Sequence, residues 1–253
     1  MEAVDRLLRD ELGLEPSSLG ARGTDEIVAG RMRALQLTDP FQYAAVLKSR
    51  PEEWQRLVAA LMVNETWFFR YPDSFAHLGA LAASVVTAAQ GTVVRVLSAP
   101  CSTGEEAVSA AIALLRAGLE PAQFHIDGID VSRPALDRAR AGCYPRRAFR
   151  DTSPTDLAPW IRETASGFEV AEEVRGRITY AEANLLDPDA AVPPPGCHYH
   201  AILCRNLQIY LTDAARRTLM DTLEEHLLDG GVLYVGHAEL GRVTRQGFSA
   251  LSP

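Results

Sequence analysis

Along the first eighty positions, apolar residues recur at helical spacing and no convincing strand interrupts them. Trp54, Leu57, Val58, Leu61 and Met62 fall three and four residues apart, which gives one helix an apolar face. The alanine-rich run Leu78–Ala89 continues as helix, and Gln90-Gly91 stops it. From Thr92 the pattern changes to strand–helix alternation. Val93–Leu97 is a short β-branched run, and Glu105–Ala117 is a helix with Val108, Ala111, Ile112 and Leu115 on one face. Phe124–Asp130 is a second strand, and Ser132 is placed to cap a helix running to Gly142. Ile178–Tyr180 and His200–Cys204 give the third and fourth strands. Asp213–Leu228 is an amphipathic helix ended by Gly230-Gly231, and Val232–Gly236 is a fifth strand.

Such alternation predicts an α/β fold: a doubly wound parallel sheet with right-handed crossovers, preceded by a small all-helical N-terminal domain. The boundary is placed so that residues 1–80 are the helical domain and linker and residues 81–253 the sheet domain. Pro145–Arg177 breaks the alternation and reads as a small insertion. There Phe168-Glu169-Val170 and Val174 could supply short antiparallel strands. Pro193-Pro194-Pro195-Gly196 reads as a surface loop.

Composition narrows the function classes. The formal net charge of −8 argues against a generic nucleic-acid binder, whose phosphate contacts need a basic face. Cys101, Cys143, Cys197 and Cys204 show no zinc-type spacing and read as reduced thiols. MEAVDRLLRDELG lacks the apolar core of a signal peptide, and no apolar run is long enough to span a bilayer. A cytoplasmic protein without bound metal is expected.

In an open α/β sheet, ligands bind at the C-terminal ends of the strands. The first such end is Ser98–Glu106, with Gly104 the sole glycine. Neither GxxxxGK[ST] nor GxGxxG is present, and the pair Glu105-Glu106 would repel a pyrophosphate. The turn suits a cationic ligand such as a sulfonium or an ammonium. Asp130 ends the second strand, where a carboxylate can accept from both hydroxyls of a ribose. Asn184 follows the third strand and could read an adenine edge, with a backbone contact at Leu185 equally open. Singly, each has a plainer role: a glutamate favoured at a helix start, an aspartate capping a helix, an asparagine in a turn.

Four segments carry a resemblance. Asn64-Glu65-Thr66-Trp67-Phe68-Phe69-Arg70, Cys101–Glu106, Cys204-Arg205-Asn206 with Ile209-Tyr210, and Gly236-His237-Ala238-Glu239 resemble the CheR family of chemotaxis-receptor glutamate O-methyltransferases, over residues 1 to about 245. The resemblance implies a Rossmann-like methyltransferase domain with a small β-subdomain, and methyl transfer from S-adenosylmethionine, with S-adenosylhomocysteine as product. The acceptors implied are glutamate side chains on the cytoplasmic helical bundles of chemoreceptor-type proteins. By motif position, Asn64, Thr66, Arg70, Glu105, Asp130, Asn184, Leu185, Asn206 and Leu207 would line the cofactor site, and Tyr210 would lie near the transferred methyl. The segment Asn64–Tyr71 also looks like members of surface-sensing systems, some of which carry a helical-repeat region that these 253 residues do not contain.

The sequence departs from the family in two places. Trp160–Val170 is about three residues shorter than in members that dock a receptor's C-terminal pentapeptide, which favours independence from that peptide. A final antiparallel strand usually follows the equivalent of Phe248, whereas this sequence ends at Pro253. A monomer is expected.

The chemistry fits without the name. A glutamate acceptor, with a reference pKa of about 4.3, is already ionised, so no general base is needed. Arg70 is the strongest candidate for gripping either the methionine carboxylate or the acceptor glutamate in bidentate fashion. Tyr210 offers a hydroxyl, and Trp67, Phe68 and Phe69 read as core residues of which one could cover the adenosine. His237 reads as structural. Arg31, Arg33, Lys48, Arg50 and Arg56 could meet an acidic bundle, although Glu52 and Glu53 dilute that patch. The rival readings are a non-catalytic S-adenosylmethionine-binding module and a small-molecule methyltransferase.

Overall fold

A computed structural model describes the chain except residues 20–22, 63–64, 188–189, 191–195, 244–247 and 250–253. The N-terminal helices are α1 (Glu2–Leu12), α2 (Gly23–Ala34), α3 (Pro40–Ser49) and α4 (Pro51–Leu61). After a linker comes α5 (Pro72–Ala88), which begins at a proline, one turn and more before the apolar run that signalled it. Then follow β1 (Val94–Ser98), α6 (Glu105–Arg116), β2 (Phe124–Asp130), α7 (Arg133–Ala141), β3 (Cys143–Tyr144), β4 (Ile161–Thr164), β5 (Gly167–Val170) and α8 (Glu172–Arg175). The chain continues through β6 (Ile178–Glu182), β7 (Tyr199–Leu203), α9 (Asp213–His226), β8 (Leu227–Tyr234) and α10 (Leu240–Val243).

β6-β2-β1-β7-β8 form one parallel sheet. The chain builds outward from β1 to β6, then crosses back to β7 on the other side of β1. That reversal opens a crevice at the C-terminal ends of β1 and β7. Period-two alternation sorts the strand residues between two cores. Val94, Val96, Ile126, Ala201 and Leu203 pack on one face with α5 and α6. Leu97, Ile129, Ile202 and Cys204 pack on the other, with α9 and the apolar faces of α1 to α4. The N-terminal helices therefore share a core with the sheet. Each fully buried side chain such as Leu97 contributes about 1.5–3 kcal/mol of transfer free energy.

Several expectations are corrected. The final strand begins at Leu227, so α9 ends earlier than its apolar pattern suggested. Gly230-Gly231 interrupt the pairing between Tyr199↔Leu227 and Ala201↔Val232 rather than ending a helix. The small sheet β3-β5-β4 begins at Cys143, ahead of the expected insertion, and Val174 lies in α8 rather than in a strand. Ser132 occupies the cap position of α7, yet its hydroxyl makes no cap bond. Asp130 accepts from the Ser132 amide instead, at 2.8 Å. The Pro193–Pro195 loop lies outside the described residues. Arg31 is not free for docking: its guanidinium grips buried Glu53 at 2.9 and 2.6 Å, and the Tyr43 hydroxyl donates to the same carboxylate at 2.9 Å.

All four cysteines are free thiols, and among the described residues no cluster suits a metal ion. Among the same residues no helix is long and apolar enough to cross a membrane.

Away from the crevice, Asp127 joins three strands. It accepts from Arg95 at 2.7 Å and from the Tyr199 hydroxyl at 3.0 Å, and lies 3.2 Å from His125 Nε2. Burial alone would raise its carboxyl, but the contacts with His125, Tyr199 and Arg95 outweigh it and hold the group below its usual 3.8. A depressed pKa contributes stability above the unfolded value that is lost as pH falls through the folded value. Urea unfolding should therefore show stability dropping below about pH 4, and Asp127→Asn should remove part of that slope.

Candidate functional site

Two hollows meet at the loop after β1. Ser102 lines one and Thr103 the other. The first is an apolar cleft at the strand ends, with about 880 Å³ of open space. Its walls include Leu12, Leu14 and Leu19 from the N-terminal segment, Ile129 and Asp130 from β2, Asn184 and Leu185 after β6, and Asn206, Leu207 and Tyr210 after β7. The second is charged and holds Thr66, Thr103 and Glu105 with Arg138, Arg147 and Arg150. Of the sequence-derived residues, six therefore share the first hollow and two share the second. Asn64 lies outside the described residues.

The loop itself is tightly specified. Gly104 adopts φ +94°, and a Cβ there would come within 2.8 Å of Ala139 Cβ and of both tyrosine hydroxyls, Tyr144 and Tyr180. Only glycine fits such a conformation and such close neighbours. Asp130 is buried and anchors the loop, accepting from the Ser102 and Ser132 amides at 2.8 Å each. Burial raises its carboxyl, and those amides oppose the rise.

The two adjacent glutamates have different surroundings. Burial raises Glu105, against a 2.6 Å hydrogen bond from the Thr103 hydroxyl. Glu106 is committed internally: it accepts from the Ser98 hydroxyl at 2.7 Å and pairs with buried Arg205 at 3.4 Å. Of the acidic pair, only Glu105 lines either hollow, which corrects the reading of both as ligand-facing.

Arg70 lies in the linker between α4 and α5, flanked by Phe69 at φ 56° and Tyr71 at φ 67°. Two left-handed non-glycine residues in succession around one arginine mark a strained turn of the kind that clusters at functional sites. The Arg70 guanidinium donates to the Glu65 carbonyl at 2.7 Å and sits 4.5 Å from the Trp67 ring and 5.3 Å from the Tyr71 ring. It lines neither hollow directly. The linker is pinned by Phe68 N–H to Ala148 O at 2.9 Å and Phe69 N–H to Ser109 Oγ at 2.9 Å. Phe68 packs on Tyr144 and Phe149, Phe69 packs on Phe75, and Trp67 donates to Asp151 at 2.6 Å. None of the three aromatics lines the apolar cleft.

Asn184 differs from the adenine-reading expectation. Its amide donates to the Glu11 carbonyl at 2.8 Å and its oxygen accepts from the Leu186 amide at 3.0 Å, so the side chain ties α1 to the sheet. The neighbouring segment Gly13–Ser18 is stitched to the Tyr210 region. Glu15 N–H donates to Tyr210 O at 2.8 Å, Thr212 N–H to Gly13 O at 2.8 Å, and the Ser18 hydroxyl to Tyr210 O at 3.1 Å. These long-range bonds, which place Leu12, Leu14 and Leu19 on the cleft, had no local signal in the sequence.

Two buried residues that sequence reasoning left without roles hold the turn after β7. Glu239 is fully buried; one oxygen accepts from the Asn206 and Gly236 amides at 2.9 and 2.8 Å, the other from Gln208 at 2.8 Å. The spacing of Gly236 and Glu239 was a usable clue, since a glutamate three residues after a cap position reaches back to its amide. Arg205 is the second. It donates to the Arg70 carbonyl at 3.2 Å and lies 4.9 Å from the Phe75 ring. His237 is exposed against the Tyr71 ring, 4.5 Å centroid to centroid.

Known proteins resemble this chain in sequence. The family model described as CheR methyltransferase, SAM binding domain, matches residues 64–252. The "Probable biofilm formation methyltransferase WspC" of Pseudomonas aeruginosa is 37% identical over 253 residues, covering 99% of this chain and 59% of the relative. A chemotaxis protein methyltransferase of Salmonella typhimurium is 32% identical over 216 residues, covering 83% of this chain and 72% of the relative. Chemotaxis protein methyltransferase 2 of Vibrio cholerae is 32% identical over 192 residues, covering 74% and 66%. The chain spans 59% and 58% of the length of the two WspC relatives. On the extent of the domain match and the identity across most of its length, the chain belongs to the CheR methyltransferase family.

Proposed function

We propose that the chain transfers the methyl group of S-adenosylmethionine to glutamate side chains of chemoreceptor-type helical bundles in the cytoplasm, giving glutamate methyl esters. One observation carries the reading: an apolar cleft and a charged hollow meet at a single loop, at the point where the sheet reverses direction. A nucleoside, whose flat aromatic base suits apolar walls and whose ribose suits Asp130, with a zwitterionic amino-acid tail matches that pair of environments.

The donor set fits the cofactor. Asp130 would accept from the ribose, while Leu185, Asn206 and Leu207 would enclose the base. Thr66 and Glu105 would face the amino-acid end, where the Tyr144 hydroxyl is buried without a partner. Asn64 joins this set on motif position alone. Asn184 acts one step back, by holding the Glu11 and Leu186 segments that shape the cleft. When bound, S-adenosylmethionine supplies a methyl group activated by its sulfonium.

This chain's residues then have two tasks. They hold the acceptor carboxylate in line for attack, and they keep water out of the cleft. Arg70 is assigned to the acceptor carboxylate, with the Tyr210 hydroxyl as a second donor to it. No base is required, because the acceptor is already ionised at neutral pH. The two-residue turn Ala165-Ser166 joining β4 and β5 leaves no extended loop for a docked peptide. It supports action independent of a receptor C-terminal pentapeptide.

Calorimetry with S-adenosylhomocysteine tests the cofactor assignment. The parent chain should bind it, and Asp130→Ala should weaken binding by about 1–3 kcal/mol, as for a lost hydrogen bond to a charged group. Affinity unchanged in the variant would remove Asp130 from the site.

A further inference from the structure

The residue that follows Arg70 breaks three local rules. Tyr71 occupies the cap position of α5, where Ser, Thr, Asp and Asn are preferred, and its side chain makes no cap bond. It adopts φ 67° and ψ 67°, a left-handed conformation that a bulky side chain enters only under strain. Pro72 comes next, and the residue before a proline favours an extended backbone. Conflicts of this kind persist where a function holds them in place.

The surroundings of the half-buried Tyr71 ring show what holds it. The Arg70 guanidinium lies 5.3 Å from its centroid, and that of Arg205 lies 5.5 Å from it. His237, in the turn after β8, stacks on the same ring at 4.5 Å. Tyr71 thus ties the linker to the turns after β7 and β8. Buried Arg205 makes no hydrogen bond through Nε or Nη2 among the described residues, and the rings of Tyr71, Phe75 and Tyr234 surround it within 5.8 Å. Neither Tyr71 nor His237 lines the apolar cleft or the charged hollow.

Arg70 has little else to orient it. Among the described residues its guanidinium makes one hydrogen bond, from Nη1 to the Glu65 carbonyl, and its Nε has no partner. A bond at one end of a guanidinium leaves the rest free to swing. The Trp67 and Tyr71 rings, 4.5 and 5.3 Å away, limit that swing, since a cation is attracted to an aromatic face within about 6 Å. We propose that Tyr71, braced by His237, is a positioning residue for methyl transfer: its ring fixes the Arg70 guanidinium where the acceptor glutamate enters. The inference rests on the acceptor role of Arg70 proposed above and deepens it.

The test measures turnover of the full chain on a chemoreceptor cytoplasmic fragment, with S-adenosylhomocysteine affinity read in parallel. Tyr71→Gly removes the ring and suits the left-handed backbone, so the variant should fold. Its kcat should fall about tenfold to a hundredfold, the scale of a misplaced reacting group, with S-adenosylhomocysteine affinity at the parental value. Tyr71→Phe keeps the ring and should recover most of that kcat. His237→Ala changes an exposed side chain and should lower kcat in the same direction. Combined with Arg70→Ala, neither change should lower turnover further, because both act through the guanidinium. Parental kcat in a folded Tyr71→Gly, or in His237→Ala where Tyr71→Gly does not fold, would overturn the inference alone, provided Arg70→Ala has collapsed. So would a Tyr71→Phe as slow as Tyr71→Gly, a parallel loss of S-adenosylhomocysteine affinity, or a further loss on top of Arg70→Ala. Near-parental turnover in Arg70→Ala would overturn the acceptor role of Arg70 and this inference together.

Discussion

Arg70→Ala should lower methyl transfer by about a hundredfold or more while leaving the fold in place. The magnitude follows from orientation: an acceptor carboxylate that drifts from its line of attack by about 1 Å forfeits rate on that order. The retained fold follows from how Arg70 is connected. Its carbonyl, not its guanidinium, accepts from buried Arg205, and the linker is pinned through the amides of Phe68 and Phe69. Truncation removes the guanidinium contact to Glu65 O and the stacking on Trp67, both near the surface. Turnover measured with a receptor fragment should therefore collapse, whereas thermal unfolding and S-adenosylhomocysteine affinity should stay close to the parent's. Arg70→Lys keeps the charge and loses the fork, so partial activity is expected from it. Near-parental turnover in Arg70→Ala would exclude Arg70 from the reaction.

Glu239→Gln should be the most destabilising single change that preserves shape. One carboxylate oxygen serves two amides and the other a third, all buried. An amide side chain can present an oxygen to one side only, so its NH₂ group must face at least one backbone N–H. Buried donors left unpaired cost about 1–3 kcal/mol each, and the repulsion adds to that. A loss of about 3–5 kcal/mol in urea unfolding is expected, within the range seen when a buried polar network is broken. The turn it holds carries Asn206, at φ 59°, and Leu207 on the wall of the apolar cleft. Cofactor affinity should therefore fall with stability. A variant with parental stability would show that the three amides find other partners.

The sheet was legible because buried parallel strands are continuous apolar runs between turn residues. Phe124–Asp130 was bounded correctly at both ends, and β1 was placed to within a residue. The small sheet was harder. In β4, Ile161-Arg162-Glu163-Thr164 buries a single side chain, and its polar residues bond to β5 at the surface, Arg162 to Glu169 at 3.0 Å, so its composition resembles a loop. Gly230-Gly231 read as a helix stop because glycine pairs end helices more often than they interrupt strands. The positions of the candidate residues at strand ends were recoverable, since β2 had to end at Asp130 and β6 shortly before Asn184.

What the side chains do was less accessible. Glu105 and Glu106 are neighbours of identical type, yet one lines a hollow and the other pairs with Arg205, whose position is fixed ninety-nine residues away. Asn184 bonds to Glu11 across 173 positions. Arg31 looked like a docking residue until Glu53 and Tyr43 enclosed it. Each depends on a partner brought in by the tertiary fold, which local periodicity does not encode.

The measurement that bears most directly on the account is methyl transfer itself. The full chain is incubated with S-adenosylmethionine and the cytoplasmic fragments of chemoreceptor-type proteins from the same genome, and modified peptides are mapped by mass spectrometry. The account predicts methyl esters on specific glutamates of at least one fragment, released by mild base and absent with Arg70→Ala. A chain that binds S-adenosylhomocysteine yet methylates none of the fragments, or that places the methyl group on another side chain, would contradict it.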